Sequence, residues 1–329
     1  MVAVLSRSSF PVLVLILIST LVGCGTTPPL PATSPAPPAP SGATSSASAR
    51  SGPTPAPTTT PSAARAQLPR GGTKVFPRYR LVGYAGLTGA KTLGRLGTGP
   101  LDQRVAEIER RATPYAAGRQ ILPVVEVITT IVQGSPGRDG MYRVRLSDDK
   151  IETYLRVARK HKAVLLLNIQ PGRADFLDEV KAYRRWLREP DVGVALDPEW
   201  AMDAHQVPGR VFGHTTGREL DTVAAYLSGI VAQNRLPEKI MVYHQLAPRI
   251  VRAESDLKPH PGVALVKSVD GIGSRAAKMA TYRAVSKTTP RFVQPGFKLF
   301  FDEDKALGRL MTPAQVLALR PRPAYVLYE

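Results

Sequence analysis

The residues of this chain best suited to do chemistry are two carboxylates separated by one residue, in the stretch Leu196-Asp197-Pro198-Glu199-Trp200. If they end a β-strand, both point to the same face, with Cα atoms about 6.6 Å apart. Two carboxylates in one pocket do not both ionise easily, so one is expected to keep its proton and the other its charge. That pattern is typical of glycosidic bond hydrolysis, for which Trp200 would supply a platform for a sugar ring.

The same two acids also fit a structural role. Asp197 would then cap the following loop, and Glu199 would pair with an arginine. Pro198 lacks an N–H and therefore fits a strand terminus rather than the middle of a ladder. The choice between the two roles depends on the elements that position these residues.

Eight apolar runs predict strands, and amphipathic stretches between them predict helices. The predicted strands are 79–85, 121–129, 163–169, 192–199, 239–246, 263–270, 297–301 and 324–328. The predicted helices are 101–117, 148–161, 174–187, 217–233, 274–286 and 313–319. Ser147 and the pair Thr312-Pro313 are typical helix starts.

This alternation predicts an α/β fold with a parallel sheet, closed into a (β/α)₈ TIM-like barrel whose last helix is missing and which a disordered linker precedes. We expect the segment near Phe76, or the end of the linker, to cover the flank that the missing helix leaves. An open doubly wound sheet is less favoured, because Gly83-Tyr84-Ala85-Gly86 after the first strand is not the dinucleotide-binding fingerprint.

Polar side chains cluster at the predicted carboxyl ends of these strands, where barrel enzymes carry their active sites. We predict Asp197 and Glu199 as catalytic residues. The predicted substrate-binding residues are Tyr84, Glu126, Asn168, Gln170, Trp200, His244, Gln245, Lys267, Asp270, Lys298, Tyr328 and Glu329. Glu126, Asp270 and Glu329 are the alternative acids if the first pair is structural.

The stretch Asp197-Pro198-Glu199 resembles the strand-four D-x-E of barrel glycoside hydrolases, including lysozyme-like muramidases. Residues 82–328 also resemble a group of lipid-anchored bacterial, and in particular actinobacterial, proteins with a glycoside-hydrolase-like barrel and no established activity. The segments that carry this second resemblance are 82–84, 168–173, 195–200, 296–300 and 325–329. The muramidase resemblance implies that Glu199 is the proton donor and Asp197 the base or stabiliser. Asn168 stands where many glycosidases have an acid.

Other chemistry finds little support in the sequence. His205 and His214 follow strand four without a nearby cysteine or an H-E-x-x-H helix, so we predict no metal site. Ser268 and Ser274 lack the G-x-S-x-G elbow of serine hydrolases. No cofactor is predicted. The Gly-rich loop 133–140 is expected to be a rim connection.

The N-terminus predicts a bacterial lipoprotein. Leu21-Val22-Gly23-Cys24 is a lipobox-like tetrapeptide that contains the only cysteine of the chain. Arg7 and the apolar run 12–18 precede it, and the run is too short for the roughly 20 residues of a membrane-spanning helix. We therefore predict a signal peptide over 1–23 and a lipid on Cys24; an ordinary secretory peptide is the alternative.

Residues 24–72 are almost wholly Pro, Ala, Ser, Thr and Gly and predict a disordered tether, followed by the barrel domain over 73–329. The net charge of +18 either draws the surface to anionic envelope polymers or lipid headgroups, or reflects only Arg-rich codon usage and solubility; nucleic acid fits an exported protein poorly. The leading hypothesis is a glycoside-hydrolase-like protein anchored on the extracytoplasmic face of the cell membrane and acting on envelope glycan. A non-catalytic barrel that binds glycan or protein is the rival, and the oligomeric state is left open.

Overall fold

The computed structural model describes residues 65–329; the predicted signal peptide, Cys24 and the tether up to residue 64 lie outside the described residues. Eight parallel strands form a closed barrel, because the first strand pairs with both the second and the last. The strands are β1 (Tyr79–Gly86), β2 (Gln120–Val132), β3 (Val164–Ile169), β4 (Val192–Leu196), β5 (Lys239–Gln245), β6 (Val263–Val269), β7 (Gln294–Leu299) and β8 (Tyr325–Tyr328). The predicted (β/α)₈ barrel is confirmed, and the open sheet is wrong.

Helices connect the strands around the outside of the barrel, except between β5 and β6, where the connection contains only short 3₁₀ turns and a two-residue strand. They are α1 (Leu101–Ala112), α2 (Asp148–Lys160), α3 (Phe176–Ala182), α4 (Arg184–Leu187), α5 (Gly217–Asn234), α6 (Arg275–Ser286), α7 (Glu303–Ala306) and α8 (Pro313–Leu317). The start signal at Thr312 forms a full capping box with Gln315. The predicted helix 174–187 is divided at Tyr183. Within residues 65–329, none of the helices is both long and apolar enough to cross a membrane.

Alternation along each strand separates two apolar layers. One layer fills the barrel, and its members include Leu81, Val124, Leu166, Val242, Val266 and Leu327. The other layer packs between barrel and helices, and its members include Val82, Val125, Leu165, Tyr243 and Val326. Because successive side chains point to opposite faces, a shift of one residue decides whether a side chain reaches the barrel interior or the helices.

The end of the predicted tether is part of the folded domain. Leu68 is 3% exposed and packs with Val75 in the layer that fills the barrel. The Tyr79 hydroxyl donates hydrogen bonds to the Arg70 and Gly71 carbonyls across 2.7 and 2.8 Å. The predicted boundary at residue 72 is therefore wrong, because residues 68–72 belong to the folded domain. The sequence does not indicate this, since a single leucine among Pro, Arg and Gly shows no apolar periodicity. Phe76 also packs on this interior layer rather than on a flank of the barrel.

A short strand that the sequence did not indicate extends the sheet at the carboxyl end of β2. Arg143–Arg145 pairs antiparallel with residues 130–132 and so turns the Gly-rich loop 133–142 into a hairpin. Glu179 on α3 is buried and holds both strand arginines, with Arg143 Nε and Arg145 Nε each 2.8 Å from its carboxylate. The hairpin is thus fastened to the rim of the barrel.

Candidate active site at the carboxyl ends of the strands

The two carboxylates predicted at the end of strand four lie on a turn rather than on the strand. β4 ends at Leu196, and Pro198–Trp200 forms a single 3₁₀ turn. The Asp197 N–H still donates to the Ile169 carbonyl of β3 across 3.0 Å, so Asp197 is the last residue tied to the barrel. Proline suits the next position because its fixed φ starts the turn and its missing N–H leaves nothing unpaired. The prediction of strand through residue 199 is therefore wrong, and the turn positions Glu199.

Asp197 is held by two side-chain amides. Asn168 Nδ2 donates to Oδ1 across 3.0 Å, and Gln170 Nε2 donates to Oδ2 across 3.2 Å. Burial raises the pKa of Asp197, and the charges of His244 and Lys298 oppose that rise. The amide donors favour the ionised form. Asp197 is thus a buried carboxyl whose two oxygens are both fixed in place.

Glu199 is in the opposite situation. Its side chain is buried, and its Oε2 atom has no hydrogen-bond partner. Burial raises the pKa of Glu199 to about 8, and the neighbouring Asp197 and Asp270 carboxylates add to the rise. Glu199 therefore holds its proton at neutral pH, whereas its neighbour Asp197 has the donors that favour the anion. The turn thus carries Glu199, which keeps its proton at neutral pH, next to Asp197, whose donors favour the ionised carboxylate.

Two buried cations balance two further acids in the barrel interior. His244 Nδ1 lies 2.8 Å from Asp270 Oδ2, and His244 Nε2 lies 3.0 Å from Glu126 Oε1. Lys298 Nζ lies 3.1 Å from Asp270 Oδ2 and 2.6 Å from Glu329 Oε2. These ion pairs join β2, β5, β6 and β7 across the mouth of the barrel.

The pairing fixes the charges of this network. Burial would lower the pKa of His244, but the charges of Asp270 and Glu126 raise it well above its ordinary value. Burial would likewise lower the pKa of Lys298, but the charges of its acidic neighbours raise it. Burial would raise the pKa values of Glu126 and Asp270, but the charges of His244 and Lys298, together with the hydrogen bonds that the two acids accept, lower both. His244 Nε2 also lies 3.9 Å from Asp197 Oδ1, whereas within residues 65–329 Glu199 forms no ion pair.

Two further side chains of the site were missed by the sequence analysis. The Tyr325 hydroxyl donates to Glu126 Oε2 across 2.5 Å, and the Ser268 hydroxyl donates to Asp270 Oδ1 across 2.7 Å. Both lie at interior positions of their strands, two residues before Leu327 and Asp270 respectively. Strand alternation is the signal that would have found them.

Four predicted substrate-binding residues do not reach the mouth, because each occupies an outward position of its strand. They are Tyr84, Gln245, Lys267 and Tyr328. A position at the end of a strand does not place a side chain in the barrel mouth, because alternate end residues face the helices. The prediction that these four line the barrel mouth is wrong.

Their actual partners are structural. Tyr84 donates to Glu107 of α1 across 2.8 Å, and the hydroxyls of Tyr328 and Tyr115 lie 2.6 Å apart. Lys267 Nζ is paired with Glu254 Oε2 at 2.8 Å between the barrel and its outer layer. Gln245 donates to the Ala247 carbonyl of its own loop across 3.1 Å.

The remaining predicted residues come together at one end of the barrel. Glu126, Asn168, Gln170, Asp197, His244, Asp270 and Lys298 form the connected network, and Glu329 borders it. Trp200 is half-buried in the turn that carries Glu199. Within residues 65–329, no group of three His, Cys, Asp or Glu side chains is arranged to hold a metal ion.

The network lies below the surface. Glu126 and His244 are fully buried, Asp197 and Asp270 are each 4% exposed, and Glu199 is 9% exposed. Glu199 is thus the most exposed of these five groups.

Comparisons with known proteins give only distant likenesses. No protein-family model matches the sequence, and no curated protein matches it either. The chain is similar to a hyperthermophilic endo-β-1,4-glucanase solved in complex with substrate, with a TM-score of 0.38 and 10% identity over 70% of this chain and 82% of that one. It is also similar to a GH18 chitinase from Pseudoalteromonas aurantia, with a TM-score of 0.34 and 12% identity over 76% of this chain and 93% of that one. The barrel assignment rests on the strand pairing of this chain, and its chemistry rests on its own side chains.

Proposed function

We propose that this protein is a glycoside hydrolase that uses Glu199 as proton donor and Asp197 as the anionic partner. The observation that carries the proposal is the buried Glu199 carboxyl, whose Oε2 has no partner and whose pKa is raised to about 8. A carboxyl that keeps its proton at neutral pH is what general-acid cleavage of a glycosidic bond requires.

Asp197 supports the second half of the reaction. As the Glu199 proton passes to the leaving oxygen, the C–O bond breaks and positive charge develops on the sugar ring. A carboxylate that Asn168 and Gln170 hold in a fixed orientation stabilises that charge without reorganising. Water then supplies the hydroxyl of the product, and its proton returns the acid to its starting state.

The cations have a supporting role in this proposal. His244 and Lys298 pair with Glu126 and Asp270. Burial and the charges of these two acids raise the pKa of Asp197, and the charges of His244 and Lys298 oppose that rise. The sum of these pairings leaves one proton-holding and one anion-favouring carboxyl in the turn. An acid/base reaction needs that division of roles.

The location and substrate of the enzyme are proposed from the sequence. The lipobox-like residues 21–24 support a lipid on Cys24 and a position on the extracytoplasmic face of the cell membrane. Envelope glycan is the polymer available there. These features lie outside the described residues and are tested separately from the site.

A non-catalytic barrel that binds glycan or protein is the second candidate. It is favoured by the burial of the network, because Glu126 and His244 are fully enclosed and the cations are paired internally. Such a network can also serve to hold the barrel together. The two candidates differ in what Glu199 does.

The test is a hydrolysis screen of the full chain on peptidoglycan and on α- and β-glucans, read as released reducing ends. On the glycan that is cut, Glu199→Gln should lower turnover by about 10²-fold or more while binding survives, since the amide keeps the shape but donates no acid proton. Asp197→Asn should cause a comparable loss. Wild-type kcat/KM should fall above about pH 8, where Glu199 loses its proton.

Glu303→Gln is the matched control, because Glu303 is an exposed glutamate on α7 and its substitution should leave turnover unchanged. Trp200→Ala should weaken binding more than it slows the reaction. Full activity in both carboxamide variants contradicts the proposal and redirects attention to Glu126, Asp270 and Glu329. A glycan that binds through Trp200 but is never cut establishes the binding candidate.

A further inference from the structure

A second polar cavity lies beside the turn that carries Glu199. It has a volume of about 170 Å³ and lies between the loop after β3, the loop after β4 and the first turn of α5. Its polar lining consists mainly of Arg173, Asp175, Asp203, His214, Thr216 and Glu219. A single ordered water needs only about 10–15 Å³ of such space, so the cavity has room for a small polar molecule.

Backbone contacts tie this cavity to the candidate active site. The Gly213 N–H donates to the Glu199 carbonyl across 2.8 Å, and the His214 N–H donates to the Ala201 carbonyl across 3.0 Å. The wall of the cavity therefore continues directly from the Glu199 turn. Ala201, two residues after Glu199, is itself part of the lining.

The lining is largely fixed before anything binds. Arg173 donates from Nε and Nη2 to the Gln206 carbonyl across 3.0 and 2.8 Å and lies over the Tyr142 ring at 4.2 Å. The Glu219 carboxylate accepts the Thr215 hydroxyl across 2.5 Å. A prearranged wall lowers the entropy cost of binding.

The charges of the lining select the ligand. Three acidic residues, Asp175, Asp203 and Glu219, line the cavity with one arginine, Arg173, whose Nε and Nη2 donate to the Gln206 carbonyl. Carboxylates accept hydrogen bonds and repel anions, so the cavity suits a ligand rich in hydroxyl or ammonium donors. This local balance is opposite to the net charge of +18 of the whole chain.

We propose that this cavity is a sugar-binding subsite that takes a neutral or amino-bearing sugar unit of the glycan and rejects an anionic one. The inference rests on the proposed function, since the subsite would hold the sugar chain whose linkage Glu199 cleaves. It goes further by naming the charge class of the substrate. It therefore excludes as substrates the anionic polymers that the basic surface of the protein would otherwise attract.

The test measures binding apart from catalysis. Titration calorimetry on the full chain carrying Glu199→Gln would use three tetrasaccharide probes, built of N-acetylglucosamine, glucosamine and galacturonic acid. We expect the neutral probe to bind at least tenfold more tightly than the anionic probe, and the amino probe at least as tightly as the neutral one. Asp203→Asn should reduce the ratio of neutral-probe to anionic-probe affinity by about two- to fivefold. The expected effect is small because solvent screens an exposed charge.

Ala174→Phe fills the cavity and should weaken neutral-probe binding tenfold or more, while Ala276→Phe, at an exposed alanine of α6, should not. Equal or tighter binding of the anionic probe, no binding of any probe, or unchanged binding in Ala174→Phe overturns the inference. These outcomes are distinct from failure of the proposed function. If Glu199→Gln keeps full turnover but Ala174→Phe loses binding, the subsite stands and the catalytic assignment falls.

Discussion

The imidazole of His244 lies between two buried carboxylates, 2.8 Å from Asp270 on one side and 3.0 Å from Glu126 on the other. All three residues are at most 4% exposed. The arrangement links β5 to β2 and to the end of β6 through charge. It holds the acids of the barrel mouth in place around Asp197.

Breaking this link should destabilise the protein strongly. Asp270→Asn leaves the charged His244 and Lys298 without their shared partner, and removal of one member of a buried pair costs about 3–5 kcal/mol. The free energy of unfolding at pH 7, measured by denaturant titration, checks this. Asp302→Asn, at an exposed aspartate of the same end of the barrel, is the control and should change it little. A loss below about 1 kcal/mol for Asp270→Asn would show that the network contributes little.

Glu199 should make stability depend on pH in a defined window. Its pKa is 4.5 when unperturbed and about 8 in the folded protein, so between these values only the folded state binds the proton. Stability contributed by Glu199 is therefore fully present below pH 4.5 and is lost as pH rises toward 8, by about 1.4 kcal/mol per pH unit at most.

Glu199→Gln removes this dependence, so the difference in unfolding free energy between variant and wild type should grow in favour of the variant from pH 5 to pH 8. Comparing the two proteins at each pH cancels the titration of the groups that do not interact with Glu199. A difference that stays constant across the window would mean that Glu199 is ionised throughout it.

Leu68 should contribute to the stability of the barrel although it lies in a stretch of tether-like composition. It is 3% exposed against the interior layer, and truncation of such a leucine to alanine costs about 2–5 kcal/mol. Thermal unfolding of Leu68→Ala, and of chains that begin at residue 65 or at residue 73, measures this. Leu307→Ala is the control because Leu307 is 62% exposed. Equal melting of the two shortened chains would place residues 68–72 outside the folded domain.

The proposed lipid on Cys24 can be tested independently of the barrel. Cys24→Ala should abolish acylation, because no thiol remains to accept the diacylglycerol. Metabolic labelling with a fatty-acid analogue in a bacterial host distinguishes the two proteins. Equal label in wild type and variant would contradict the lipoprotein interpretation and favour an ordinary secretory peptide.

The strands and helices were predicted closely because their signals are local. Apolar runs such as residues 163–169 fill both layers of a parallel barrel, and the observed β3 covers Val164–Ile169. The hairpin strand Arg143–Arg145 was missed because it is short, polar and held by Glu179, which lies far away in sequence. The third helical segment is divided at Tyr183, where the sequence has no helix-breaking residue that would predict the division.

The sequence by itself determined the barrel and most of the acids at its mouth, since periodicity and residue type are properties of short segments. Only the tertiary structure decided which end residues face inward, because a one-residue shift moves Lys267 or Tyr84 to the opposite face. It also decided that the pKa of Glu199 is raised to about 8, whereas hydrogen-bond donors favour the ionised form of Asp197. That difference arises from burial and from the amides of Asn168 and Gln170, which the folded chain brings to Asp197 and not to Glu199.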